Sequence, residues 1–411
     1  MTTDPTAKAP RRLGRNVFVL AAVSFLTDAS SEIIYPLLPI FITSVLGASA
    51  AAVGAVEGAA ETTSALLRLA SGWWSDRVRR RKPLVVAGYA LAALLRPLIA
   101  IAQSATQVLA IRVTDRVGKG IRGAPRDALI AESVDASIRG RAFGFHRAAD
   151  HAGAVVGPLL AFALLGWGEM NLRAVFLVAA IPGVLSVIVL VMGVREVPRA
   201  IPPAAPRTGG AAPKLERAGL DRRFWTFLAA IFLFTLGNST DAFLILRANQ
   251  LGVPVALVPV LWAALHVVKS ASSMPGGALS DRLGRQPLIV AGWVVYAAVY
   301  FAFGRATESW HAWALFLAYG VFFGLTEGTE RAMVADLVGA DRRGTAFGWF
   351  NLAIGVGALP ASLLFGFVWE RFGAARAFEL GAVLAVAAAT VLLLVGAPDR
   401  PRPASEQRPA G

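Results

Sequence analysis

Gly72-Trp73-Trp74-Ser75-Asp76-Arg77, followed by Lys82-Pro83-Leu84-Val85-Val86-Ala87-Gly88, returns later as Gly277-Ala278-Leu279-Ser280-Asp281-Arg282, followed by Gln286-Pro287-Leu288-Ile289-Val290-Ala291-Gly292. The second copy lies about 205 residues after the first, so the chain is one half-molecule written twice. A further echo pairs Gly140-Arg141-Ala142-Phe143-Gly144-Phe145 with Gly344-Thr345-Ala346-Phe347-Gly348-Trp349 at nearly the same offset. Both copies are apolar, and two matched membrane halves around a midplane site are the layout of a transporter.

Composition agrees. Of 411 residues, 56% are hydrophobic and only 16% charged, which leaves too little polar surface for a soluble protein. The net charge of +14 could suggest nucleic acid, but the basic residues form short clusters between apolar runs rather than one exposed face. Cysteine is absent, which removes disulfides, thiolate metal sites and a cysteine nucleophile.

A bilayer core of about 30 Å needs about 20 apolar residues per helix, and the chain meets that length twelve times. The expected spans are 16–43, 50–72, 83–102, 105–131, 142–167 and 172–194, then 224–247, 253–275, 287–305, 309–335, 343–369 and 375–396. This gives an all-α membrane protein of twelve transmembrane helices in two pseudo-symmetric six-helix bundles. The bundles are 16–194 and 224–396, flanked by tails 1–15 and 397–411 and joined by a basic, proline-rich linker, 195–223. That linker holds Pro198, Pro202, Pro203, Pro206, Pro213, Gly209 and Gly210, a composition of solvated tether. No stretch outside the membrane is long enough for a soluble catalytic domain, so an enzyme is not expected.

Lys8, Arg11, Arg12, Arg15, Arg77, Arg79 to Lys82, Arg139, Arg141, the linker, Arg282, Arg285, Arg342 and Arg343 fall on one side. Only Arg173, Arg305, Arg371 and Arg376 fall on the other. The asymmetry places both termini in the cytoplasm of a multi-pass protein of the cell (inner) membrane.

Gly72-x-x-x-Asp76-Arg77 and Gly277-x-x-x-Asp281-Arg282-x-Gly284-Arg285 resemble the loop signature of the major facilitator superfamily, and the resemblance covers the whole chain. The first copy departs in having Arg79 where Gly is usual. Physically, a small residue lets helices approach, a carboxylate caps a helix N-terminus and a guanidinium holds a carboxylate on a neighbouring helix. These groups, with Asp127 placed to meet Arg77, form an expected gate. In span 5, Gly144, Gly153 and Gly157-Pro158 look like the signature of the superfamily's drug and metabolite antiporters, where the glycines flatten one face for packing between bundles. The resemblance implies a proton-driven, monomeric transporter whose partners are a small-molecule substrate, protons and the bilayer, with no nucleic acid, no metal and no cofactor beyond the proton motive force.

Charges inside the spans are the candidate coupling and cavity groups, because each costs about 3 kcal/mol or more in hydrocarbon unless paired or hydrated. Arg112, Asp115, Arg116, Lys119 and Arg122 recur at helical spacing on span 4. The resemblance places an Arg of that span near the proton site, and both Arg112 and Arg116 qualify. Asp28 and Glu32 lie one turn apart in span 1, and Asn238 and Asp241 mark span 7. Desolvation favours a neutral carboxyl and a nearby guanidinium an ionised one, so a substrate that alters this balance exchanges with a proton. The competing reading pairs Asp28 permanently with Arg112 or Arg116. Asp150 and His151 in span 5, Arg247, Glu327 and Glu330 complete the set; Glu57, Glu61 and Arg68 fall roughly on one face of span 2 in position to bridge to Arg96 of span 3, a contact that reads equally as structural or as functional.

The expected function is proton-coupled efflux of a small organic compound by alternating access. Transport of an anionic metabolite through the span 4 cations, export of a metal or metal chelate, and a sensor or assembly role without turnover are the alternatives.

Overall fold

The computed structural model describes residues 13–75, 80–134, 139–196, 220–338 and 343–393. Twelve helical spans run through them. We number these α1 Arg15–Val45, α2 Ala50–Ser75, α3 Lys82–Ile101, α4 Ala105–Glu132, α5 Arg139–Gly166 and α6 Leu172–Gly193. The second half gives α7 Arg222–Gln250, α8 Val255–Leu283, α9 Arg285–Arg305, α10 Ser309–Asp336, α11 Arg343–Phe372 and α12 Ala374–Leu393. Nine are long and apolar enough to cross a membrane by that measure alone. The other three, α2, α4 and α10, carry Glu57, Glu61, the Arg112 to Arg122 stripe, Glu327 and Glu330. Their polarity faces the protein interior, as the partners described below show.

The two halves repeat the same packing. α1 lies against α5 and α6 while α4 lies against α2 and α3; correspondingly α7 lies against α11 and α12 while α10 lies against α8 and α9. Two seams join the halves, α2 on α11 and α5 on α8, each pairing a helix with the repeat-mate of its counterpart.

Two departures from the expected spans matter. α8 does not stop at Pro275 but stays helical to Leu283, so the repeat motif occupies its last turns and a single residue, Gly284, makes the turn into α9. Gly284 has φ +98°, a conformation glycine adopts without steric cost. α7 is not continuous: helix ends at Gly237 and resumes at Ala242, leaving Asn238 to Asp241 unwound in mid-span. Exposed backbone at membrane depth is tolerated only where it lines a cavity or is buried in protein.

The repeat motif ties together helices of one half. Arg285 binds Asp281 and, through Nε at 3.2 Å, Asp336 at the end of α10. Gly277 meets nothing on its open side; the neighbouring Gly276 is the close contact, against the Gly324 carbonyl. Gly72 lies in the last turn of α2, and Asp76 and Arg77 lie outside the described residues. Asp127 pairs with Arg126 at 2.8 Å. In α5, Gly153 and Gly157 press on the α1 backbone at Phe25 and Ala29, so this glycine face packs inside the first half rather than between bundles. Gly144 and Pro158 lie on the same continuous helix.

The seam between the halves belongs to other glycines. A Cβ on Gly58 would meet Leu359 Cα and Ser362 Cβ at 3.0 Å, and one on Gly366 would meet Ala51 Cα at 2.7 Å. Gly54 and Gly355 are equally tight against Ser362 and Ala65. Thr62 Oγ1 donates to the Gly355 carbonyl at 2.7 Å, and Glu370 accepts from the Ala51 amide at 2.8 Å. These contacts run from the end of the molecule opposite the linker as far as Ala65. At that far end one apolar core unites Phe41, Ile42 and Val53 with Phe243, Leu244 and Phe365. At the linker end the first half keeps its own separate core around Val17, Tyr89 and Leu129. Among the described residues, the apolar core shared by the two halves thus closes the far end, while the first-half core at the linker end includes no residue of the second half.

Gly58→Leu is expected to penalise this closed far end by about 1–3 kcal/mol, the range for overpacking. The chain has no cysteine, so spin labels at Ser49→Cys and Arg371→Cys report the far-end separation directly. A longer mean distance in the Gly58→Leu background is expected; an unchanged distribution would show that the seam does not set the closed state.

Candidate functional site

Between the halves lies a cavity of about 490 Å³ lined by α1, α2, α7, α8, α10 and α11. Its polar groups include Glu57, Glu61, Asn238, Ser239, Thr240, Asp241, Lys269, Glu327 and Glu330, set among Tyr35, Phe234, Phe322 and Phe323. Five carboxylates thus face one lysine. The unwound segment of α7 supplies four consecutive lining residues, which explains why the chain leaves helical geometry there.

The wall formed by the first half is a ladder of ion pairs between α2 and α4. Arg112 grips Glu57 with Nε and Nη2 at 2.7–3.0 Å, both groups buried. Arg116 meets Glu61 at 3.2 Å. On the other side of α4, Arg96 of α3 donates to Asp115 at 3.3 Å and to the Thr27 carbonyl at 2.8 Å. Helical spacing of three and four on α4 turns successive charges toward α2 and α3 in alternation. Arg122 lies over the Tyr89 ring at 4.2 Å. The pairing therefore links Glu57 and Glu61 to α4, and Arg96 to Asp115, rather than α2 to Arg96.

Asp28 is left outside this ladder: its carboxylate has no hydrogen bond or ion pair among the described residues, and neither has Lys119. The arginines that could have neutralised Asp28, Arg112 and Arg116, are engaged with glutamates. Glu32 accepts a hydrogen bond from Trp262 Nε1 of α8 at 2.8 Å, a polar contact across the halves. Tyr35 also packs on Trp262, with ring centroids 5.1 Å apart.

In the second half, Asp241 accepts from Tyr319 Oη at 2.7 Å and Glu330 from Trp293 Nε1 at 2.9 Å. Neither has a cationic partner among the described residues. Lys269 lies 3.7 Å from Glu327 and over the Phe323 ring at 3.8 Å.

Other sequence candidates sit elsewhere. Arg247 donates to the Phe303 and Ala306 carbonyls, closing the far end of α9 away from the cavity lining. Asp150 accepts from Ser24 and lies near His146 and Arg147 at 3.7 and 3.4 Å, while the adjacent His151 is exposed and makes no hydrogen bond among the described residues. Lys269, Trp262, Trp293 and Tyr319 were not signalled by the motifs. A lone lysine within the apolar run of α8 is the one sign that could have found the first of them. Among the described residues no cluster of three or more acidic or histidine groups is arranged for a metal ion.

The chain is 34% identical over 391 residues to an uncharacterized MFS-type transporter of Methanocaldococcus jannaschii, covering 94% of this chain and 96% of that protein. Over 116 residues it is 28% identical to the multidrug resistance protein MdtH of Escherichia coli O139:H28, which covers 28% of this chain and 29% of the relative. A bacterial homologue of the human lysosomal transporter Spinster, solved in an inward-facing, unoccupied conformation, shares the fold with a TM-score of 0.71. Its identity is 18% over 95% of this chain and 96% of that one. The profile of the Major Facilitator Superfamily matches residues 20–268 and 242–411. With both repeats matched and twelve spans packed in two equivalent halves, the chain belongs to the major facilitator superfamily of membrane transporters.

Proposed function

We propose that this protein exports a cationic small organic compound in exchange for protons. The observation that carries the reading is the charge left over in the cavity: Glu57 and Glu61 are held by Arg112 and Arg116 and Glu327 stands beside Lys269, while Asp241 and Glu330 have no cationic partner among the described residues and sit among the rings of Tyr35, Phe234, Phe322 and Phe323. Such a surface attracts a positive charge by Coulomb forces and by the ring quadrupoles. The span 4 cations that favoured an anionic substrate are largely spent: Arg112 and Arg116 are held by glutamates, and Arg122 lies on Tyr89.

The carboxylates divide into two kinds. Glu57 and Glu61 have fixed guanidinium partners, so their charge is already compensated. Asp28, Glu32, Asp241 and Glu330 have none among the described residues, and a carboxyl shielded from water needs either a proton or a cationic ligand for neutrality. Loading one displaces the other, which is the exchange step. Asp28 is assigned the proton because it stands next to the inter-half contact of Glu32 with Trp262. Binding can then bias the rocking of residues 15–193 against 222–393.

Basic residues at the linker end orient that end to the cytoplasm of the cell membrane. The core shared between the halves lies at the opposite end, which supports entry of substrate into the cavity from inside. Such a transporter works as a monomer driven by the proton motive force, without a cofactor.

Two outcomes are expected. Adding cationic aromatic compounds to purified protein in weakly buffered solution releases protons, while neutral and anionic analogues do not, and Asp28→Asn abolishes the signal without lowering Tm. Release by anions, or full release in Asp28→Asn, would contradict the assignment. Glu57→Gln instead strands the Arg112 charge and costs about 3–5 kcal/mol of stability, read as a large fall in Tm. An unchanged Tm would mean that the pair is not a fixed structural one.

A further inference from the structure

The proton assigned to Asp28 needs a route of its own, because neither Asp28 nor any described residue of α5 lines the substrate cavity. Asp28 sits instead on the contact between α1 and α5, its Cβ 3.1 Å from where a side chain on Gly153 would begin. One turn along each helix toward the linker end stand Ser24 and Asp150, and the Ser24 hydroxyl donates to the Asp150 carboxylate. One turn further on α5 is His146, whose Nδ1 lies 3.7 Å from that carboxylate. His146 is 2% exposed, and its Nε2 has no hydrogen-bond partner among the described residues. It stands one turn from Ala142, part of the first half's core at the linker end. Asp28, Ser24, Asp150 and His146 thus form one column toward the linker end, inside the first half.

The column is suited to passing a charge rather than holding one. Arg147 reaches Asp150 at 3.4 Å, but its side chain is 62% exposed, and an exposed ion pair contributes little. This differs from Glu57, gripped by Arg112 with both groups buried. The other charges around His146 are Arg126 and Asp127 of α4, which pair with one another. Those around Asp28 are Lys119 and Arg122 of α4 and Arg96 of α3, and on α8 Lys269 faces the neighbouring His151. A neutral imidazole has one donor and one acceptor nitrogen, so it takes a proton on one side and gives one up on the other. A buried ring nitrogen without a partner costs about 1–3 kcal/mol, which makes histidine a poor choice here for packing alone.

We infer that Ser24, Asp150 and His146 carry the proton of Asp28 to the linker end by a path inside the first half, separate from the cavity that takes the substrate. The inference rests on the exchange reading, which places the proton on Asp28. In the first transfer the O–H bond of Asp28 breaks and one forms on Asp150, with the Ser24 hydroxyl handing the proton across. In the second, the Asp150 O–H bond breaks, Nδ1 of His146 is protonated, and the proton on Nε2 leaves for water at the linker end. Rotation of the ring restores the first tautomer. Two routes let the cation enter while the proton leaves.

The test compares two assays of N-methylquinolinium in proteoliposomes. Uptake driven by a pH gradient needs net proton movement, whereas exchange of labelled for unlabelled cation at equal pH does not. His146→Gln and Asp150→Asn are each expected to slow the driven uptake by about tenfold or more, while exchange of cation for cation continues. Driven uptake at the wild-type rate in both variants overturns the path, and so does an equal loss in both assays, the mark of a merely structural role. If His146→Gln does not fold, Asp150→Asn alone decides. Wild-type protein without gradient-driven uptake sinks the exchange reading and the path with it; wild-type protein with both activities, and variants to match, sinks the path alone.

Discussion

A guanidinium inside a hydrocarbon slab must be matched by a carboxylate, and the Arg112 pair with Glu57 is where this protein meets that demand most completely. The pair fixes α4 against α2, and the Arg96 pair with Asp115 fixes the same helix against α3. With α4 held on both sides, α2, α3 and α4 are tied into one unit. Because these guanidinium groups are committed to their partners, Asp28 has none among the described residues. One allocation of charge thus both ties the wall together and leaves Asp28 without an ion pair among the described residues.

The seams between the halves follow a different logic. Across α2 and α11 the contact is mostly small residues and backbone, with two hydrogen bonds, through Thr62 and Glu370. Close van der Waals contact between glycine faces is short-ranged and has little charge to desolvate, so it can open and reform as bodies rock. Ion pairs hold each half together, while apolar contact holds the halves to one another. The hydrogen bond from Trp262 to Glu32 is the polar exception near the cavity, and it touches the carboxyl one turn from Asp28.

Much of this was legible in the sequence. The apolar runs gave all twelve spans to within a few residues at most ends, because hydrophobic length is a local property. The repeat gave the two halves. Partner choice was not legible: the spacing of Glu57, Glu61 and Arg112 shows a face of each helix, but only packing shows that α2 meets α4 rather than Arg96 of α3. The same holds for the glycines. Gly54 and Gly58 mark the seam between halves, whereas Gly153 and Gly157 meet α1 within one half, and as small-residue stripes they read alike. The α7 break was masked by hydropathy, since Gly237-Asn238 carries a helix stop signal inside an otherwise unbroken apolar run.

The central claim is that a cation leaves by exchange with protons through the carboxylate-lined cavity. Its most direct measurement is uptake of a membrane-impermeant aromatic cation into proteoliposomes with an imposed pH gradient, acid inside. Accumulation above the external concentration that collapses when the gradient is dissipated is the predicted result. Uptake that only equilibrates, whatever the gradient, would contradict proton exchange.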